Sequence, residues 1–233
     1  MTKIRIKPLF KNPLENIVAY SPPQSEIYLG SPGITLLPND RIAVSHDFFG
    51  PKSPCNKYGM PNTTRIYLSS DCGKSWKMVS EIREAYWSTL FYFKDSLYLL
   101  GTSAKYGDIV IRRSNDYGKT WTIPLDEDSG LLFRGGDGNN PPNYHCAPVP
   151  ILVYRNRIWR GFEDNVTASW PEGFHTFVIS SDIGKDLLKS SSWIMSNKLA
   201  YNPSLDSPEF GERAGWLEGN VVAGPDGDHS IIF

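Results

Sequence analysis

The chain lacks most of the features that would place it at a glance. It has only three cysteines, Cys55, Cys72 and Cys146, an odd number at irregular spacing. That excludes a disulfide framework and shows no metal-ligand spacing. No stretch reaches the roughly 18 apolar residues of a membrane span. The opening "MTKIRIKPLFKNP" carries basic residues without the apolar run of a signal peptide. Neither sign of charge dominates: 24 Lys and Arg stand against 25 Asp and Glu, a net charge of −1. The electrostatic case for nucleic acid or an anionic membrane as partner is thereby removed. Helical periodicity is weak throughout. These absences predict a soluble chain, cytoplasmic as given and secreted if residues precede Met1, with no cofactor and no metal. The sequons at Asn62 and Asn165 are read as chance matches on the same ground.

What the chain does have is length for a sizeable core (233 residues), 13% aromatic residues and a repeat. Residues 69–76 read "SSDCGKSW" and residues 114–121 read "SNDYGKTW". A third copy, "SSDIGKDLLKSSSW" (180–193), keeps Asp182, Gly184 and Lys185 and delays its tryptophan to Trp193. Each is preceded by an alternating apolar and polar stretch, "TTRIYLSS", "GDIVIRRS" and "FHTFVISS", the mark of a half-buried strand.

Further upstream lies a recurring pair of strands around a polar turn: "GITLLPNDRIAVSHDF" (33–48), "STLFYFKDSLYLLGTS" (88–103) and "PVPILVYRNRIWRGFED" (148–164). The turns fall at Asn39-Asp40, Lys94-Asp95 and Arg155-Asn156, residue types suited to tight hairpins. "LEGNVVAGPDGDHSIIF" (217–233) starts a fourth copy, with its turn at Asp226-Gly227. Four antiparallel strands recurring every ~55–70 residues is the pattern of β-propeller blades. The fold class predicted is all-β. An N-terminal segment spans 1–24, and a partial propeller spans 25–233. Its blades run over about 30–82, 86–126 and 144–198, with a fourth begun at about 215–233. "IRIKPLF" (4–10) also has strand character.

The repeated octet has a structural reading. The aspartate accepts hydrogen bonds from its own turn, the glycine takes a left-handed backbone, and the tryptophan packs the turn on the sheet. Asp71, Gly73 and Trp76, then Asp116, Gly118 and Trp121, then Asp182 and Gly184, are on this reading turn formers. Arg65, Arg112 and Arg113, on the strands leading into the turns, are read as structural too.

These octets resemble the Asp boxes (BNR repeats) of the sialidase superfamily, six-bladed propellers with such turns on the rim. "GSPGITLLPNDRIAVSHDFFG" (30–50) has the layout of the sialidase first blade, and "WLEGNVVAGPDG" (216–227) resembles its glutamate-bearing segment. The likeness covers about 25–233 and is closest to uncharacterised bacterial sialidase-like glycosidases with "SHDFFGP", "HCAPVP" and "WLEGN" segments. It implies an exo-acting hydrolase with a carbohydrate substrate, Asp47 as acid/base and Glu218 as the second carboxylate. Gly30 stands where sialidases carry a carboxylate-binding arginine, so the sugar need not be acidic. About three and a half blades of six are expected in these residues. The reading therefore expects an N-terminal portion, inactive alone and prone to self-association through unpaired blade edges. A non-catalytic Asp-box propeller that binds glycan or protein is the alternative, and fold alone does not decide between them.

Strand ends add substrate-binding candidates. His46 neighbours Asp47. "RGFEDN" (160–165) matches "SHDFF" by position and offers Arg160, Glu163 and Asp164. Trp87 and His145 open equivalent inner strands, as a stacking ring and a polar contact. A loop-capping aspartate at 47, an ion pair at 160–164 and a structural histidine at 145 are the bland counterparts.

Overall fold

The computed structural model describes residues 16–136, 138–167, 169–202, 215–224 and 230–232. The expected strand at 4–10 and the turn at Asp226-Gly227 lie outside the described residues. Apart from short 3-10 turns, the regular structure among the described residues is antiparallel strand.

The first sheet is a meander of β1 (Tyr28–Leu37), β2 (Arg41–Phe49), β3 (Thr63–Ser69) and β4 (Lys77–Arg83). The second repeats it with β5 (Tyr86–Phe93), β6 (Ser96–Thr102), β7 (Ile109–Ser114) and β8 (Leu131–Phe133). The third orders β10 (Leu152–Tyr154), β11 (Arg157–Asn165), β12 (Phe174–Asp182) and β13 (Trp193–Met195), with β9 (Tyr144–His145) also paired to β11. A hairpin of β14 (Val221–Ala223) and β15 (Ser230–Ile232) follows. This is an all-β, propeller-like arrangement.

The hairpins form where the polar dipeptides fall. Asn39 and Asp40 have φ of 60° and 56°, Lys94 and Asp95 45° and 60°, Arg155 and Asn156 49° and 58°. Two consecutive left-handed residues make a type I′ turn, whose twist matches the strands it joins. The sheets stack through two apolar layers. Leu37, Ala43, Ile66 and Ile82 of the first meet Leu90, Leu97 and Leu99 of the second. Phe91, Leu100, Ile109 and Ile111 of the second meet Ile158, Phe162, Phe177 and Ile179 of the third. Arg112 adds a polar tie, donating to the Thr122 carbonyl of its own unit and to the Arg83 and Glu84 carbonyls across the first interface. Asn62 and Asn165 are both buried, so neither sequon presents its amide to solvent.

The repeated octets form the third-to-fourth-strand turns. Asp71 accepts from the Ser69 hydroxyl at 2.7 Å, the Ser75 N–H at 2.9 Å and the Ser75 hydroxyl at 2.6 Å. Asp116 repeats the set with Ser114 at 2.8 Å and with the Thr120 N–H and hydroxyl at 2.9 and 2.7 Å. Gly73 and Gly118 take φ of 83° and 87°, a region that costs glycine little. Among the described residues the Asp182 carboxylate keeps only the Gly184 N–H, at 2.7 Å, and Gly184 does not take the left-handed backbone expected of it. The residue four places on is Asp186, which has no hydroxyl to offer. One detail breaks the repeat among the three units. β4 and β13 begin at or beside Trp76 and Trp193, but β8 begins ten residues after Trp121. There Thr122 instead exchanges bonds with Arg113 through its N–H and hydroxyl.

Asp116→Ala should lower the unfolding free energy by about 1 kcal/mol, the low end for lost hydrogen bonds because water reaches the turn. Carbohydrate binding per folded molecule should not change. An unaltered denaturant midpoint would refute the turn's structural role.

Candidate active site

The site begins with an irregularity shared by the inner strands. β1 breaks register between Gly30 and Gly33, and β5 between Tyr86 and Thr89. The extra residues, Ser31 and Trp87, have φ of 49° and 50°. Such bulges bend a strand and re-aim its side chains. Glu218, ahead of β14, has φ of 58°. In the third sheet the interruption is longer: β9 ends at His145 and β10 starts at Leu152, with Pro148 and Pro150 unable to donate to a ladder. Ser31, Trp87 and Cys146 thus follow the first inner-strand segment in three successive units, and Glu218 stands just ahead of the inner strand of the fourth. Together with Pro32, Phe49, Ala147 and Pro148 they line one cavity of about 300 Å³.

Beneath this mouth lies Asp47. Side chains alternate along β2, so Ala43, Ser45 and Asp47 share a face directed at the second sheet while His46 points the other way. Asp47 is 1% exposed. One carboxyl oxygen is 2.5 Å from the Thr64 hydroxyl, and the other accepts the Trp87 N–H at 2.6 Å. Burial outweighs these contacts and one from Ser31, and raises the carboxyl to about 8. The geometry suits the protonated form. The Thr64 hydroxyl also lies 2.9 Å from the Ala85 carbonyl, yet it has one hydrogen. With Asp47 protonated, its O–H donates to Thr64, Thr64 donates to Ala85, and no oxygen is left facing another without a proton.

The third sheet carries the counterpart. Counting from the residue after each hairpin turn, the seventh position is Asp47 on β2, Thr102 on β6 and Glu163 on β11. Glu163, 1% exposed, accepts the Gly219 N–H at 2.8 Å and pairs with His145 Nδ1 at 2.9 Å. Asp47 and Glu163 therefore each accept an N–H from the inner strand of the following unit. His145 stands against Trp87, ring centroids 4.3 Å apart, and against Phe174 at 5.1 Å. Cys146 donates its thiol to the Trp87 carbonyl at 3.1 Å. Burial pushes that thiol up to about 12, which makes it inert at neutral pH.

The structure thus brings Trp87, His145 and Glu163 into direct contact, joins Asp47 to Trp87, and puts Glu218 on the same mouth, exposed to solvent. Three expected site residues lie elsewhere. His46 stacks on Tyr67 with Nε2 3.3 Å from its hydroxyl and borders a separate cavity with Ile17, Leu29 and Val44. Arg160 and Asp164 take the alternate face of β11 from Glu163. Arg160 is fully buried and donates to the carbonyl of Ala147, a mouth residue, at 2.7 Å, so it supports the wall of the cavity from behind. Asp164 accepts from the Asn143 N–H and Lys198 Nζ, both at 2.6 Å, and serves as an internal ion pair. Sequence reading missed Ser31, Phe49, Thr64 and Cys146. Only Ser31 and Cys146 carried a signal, since aligning the hairpins sets them beside Trp87 and Glu218.

No protein-family model and no curated protein matches the chain. Solved structures do. It is similar to an α-L-arabinanase of Penicillium chrysogenum complexed with arabinobiose, at 21% identity and TM-score 0.53 over 84% of this chain and 54% of that one. The GH93 α-L-arabinofuranosidase of Fusarium graminearum, also with arabinobiose, gives 17% and 0.51 over 85% and 54%. An α-L-arabinofuranosidase from Lactobacillus brevis gives 14% and 0.55 over 88% and 64%. At such identities the likeness is one of fold. The chain spans a little over half the length of these structures.

Proposed function

We propose that these residues belong to an exo-acting glycoside hydrolase that removes the terminal sugar of a glycan. The observation that carries this reading is the buried Asp47, whose carboxyl burial shifts upward, beneath a cavity ringed by Ser31, Trp87, Cys146 and Glu218. Asp47 protonates the departing glycosidic oxygen as the anomeric C–O bond breaks. Glu218 orients or deprotonates the group that attacks the anomeric carbon, and water completes the exchange. Phe49 and Trp87 give the sugar an apolar wall. The fold likeness to structures holding arabinobiose supports a carbohydrate substrate. The Ser-x-Asp-x-Gly-Lys-Ser/Thr-Trp turns support the finer reading of a sialidase-type, six-bladed propeller, of which 25–233 is a part.

The test is release of sugar from aryl α-L-arabinofuranosides, aryl α-sialosides and arabino-oligosaccharides, followed chromatographically. Release that depends on Asp47 supports the proposal. One observation favours a second reading, a non-catalytic glycan-binding propeller: Glu163, at Asp47's equivalent position, serves as a link between units. Saturable saccharide binding with no release from any of these substrates, even by a longer chain that adds the remaining blades, would establish that reading instead.

A further inference from the structure

Trp170 lies outside the mouth described above. It is 59% exposed and borders a cavity. Its ring is held perpendicular to Phe174 at 4.9 Å and stands 6.1 Å from His145. His145 in turn meets Trp87. Three rings, Trp87, His145 and Trp170, therefore run outward from the mouth in an unbroken chain.

Trp170 also borders its own cavity, about 620 Å³, with Pro171, Glu172, Gly215 and Leu217. Its two walls touch. A Cβ on Gly215 would come within 2.6 Å of the Pro171 carbonyl, so only glycine permits the approach. Leu217 lines this cavity and the next residue, Glu218, lines the mouth. The two spaces thus flank a single step of the chain.

We infer that the Trp170 cavity is a second sugar subsite, which takes the neutral residue adjoining the terminal sugar in the mouth. The C–H face of a furanose or pyranose stacks on the indole, which offers a broad apolar surface with a polar edge. The exposed Glu172 carboxylate accepts from ring hydroxyls and disfavours an acidic sugar at this position. The inference rests on the carbohydrate reading of the mouth, and it concerns chain length rather than chemistry.

The test compares the whole chain with W170A and W170F, using arabinose, arabinobiose, arabinotriose and sialyllactose as probes. Binding is followed by calorimetry and by indole fluorescence. Arabinotriose should bind the unmodified chain about tenfold more tightly than W170A, as expected for burying one apolar ring face. Arabinose affinity should be equal in the two. W170F, which keeps a flat ring, should fall between and guards against a folding defect in W170A. Equal arabinotriose affinity in all three, or no saccharide binding by the unmodified chain, overturns the subsite. Trp170-dependent binding without hydrolysis leaves the subsite standing and gives the hydrolase reading no support. Hydrolysis of short aryl glycosides with no Trp170 dependence on arabinotriose does the reverse.

Discussion

Glu163→Ala is expected to destabilise the chain by about 3–5 kcal/mol, the range for breaking a buried pair by removing one partner. The carboxylate is 1% exposed and both its oxygens are engaged, by His145 Nδ1 and by the Gly219 N–H. Alanine leaves a buried imidazole and a buried backbone donor without partners, each costing roughly 1–3 kcal/mol. The Gly219 bond joins the third sheet to the inner strand of the unit that follows, so the loss also loosens the Glu218 side of the mouth. Glu163→Gln should cost less than about 1.5 kcal/mol, because its amide oxygen still accepts from Gly219 and its amide N–H can donate to His145 Nδ1. At 2–4 °C per kcal/mol for a domain of this size, the alanine variant should melt roughly 10 °C lower. Equal melting temperatures for the two variants would show that Glu163 links nothing.

Sequence carried the repeat and its turns but not the wiring between units. The Asp71 and Asp116 turns were legible because every partner of the carboxylate lies within four residues of it. The hairpins were legible for the same reason, as Asn39-Asp40 and Arg155-Asn156 state their own backbone preference. Asp47 and Glu163 depend on donors 40 and 56 residues away, and no local pattern announces such a bond. The face taken by each residue of β11 also escaped, although period-two alternation supplied it. Read strictly, that alternation separates Glu163 from Arg160 and Asp164 and divides the "RGFED" cluster between two interfaces. The bulge at Ser31 and Trp87 was hidden because a bulge inserts a residue without any fixed side-chain signature. It decides which residues reach the mouth.

The largest functional effect is expected at Asp47. Where turnover is measured, Asp47→Asn should reduce hydrolysis of substrates with poor leaving groups by about 10²–10⁴-fold, the contribution of a positioned general acid. Activated aryl glycosides, whose leaving group departs without a proton, should lose far less. The variant should fold well. An asparagine oxygen still accepts the Trp87 N–H, and its amide donates to Thr64, whose own hydrogen then serves Ala85, reproducing the neutral network. Stability against pH supplies an independent check with a definite sign. The folded carboxyl, at about 8, lies above its ordinary 3.8, so between those values the folded state binds the extra proton. The Asp47 contribution is fully present below about pH 4. It declines by about 1.4 kcal/mol per pH unit as the pH rises through the window, and stops changing above the folded value. Asp47→Asn lacks that slope and should gain on the parent chain from pH 4 to 8. Parallel stability profiles would mean that Asp47 is ionised when folded and has no proton to give. A parallel loss on poor and activated leaving groups would remove the general-acid role even if the proton is there.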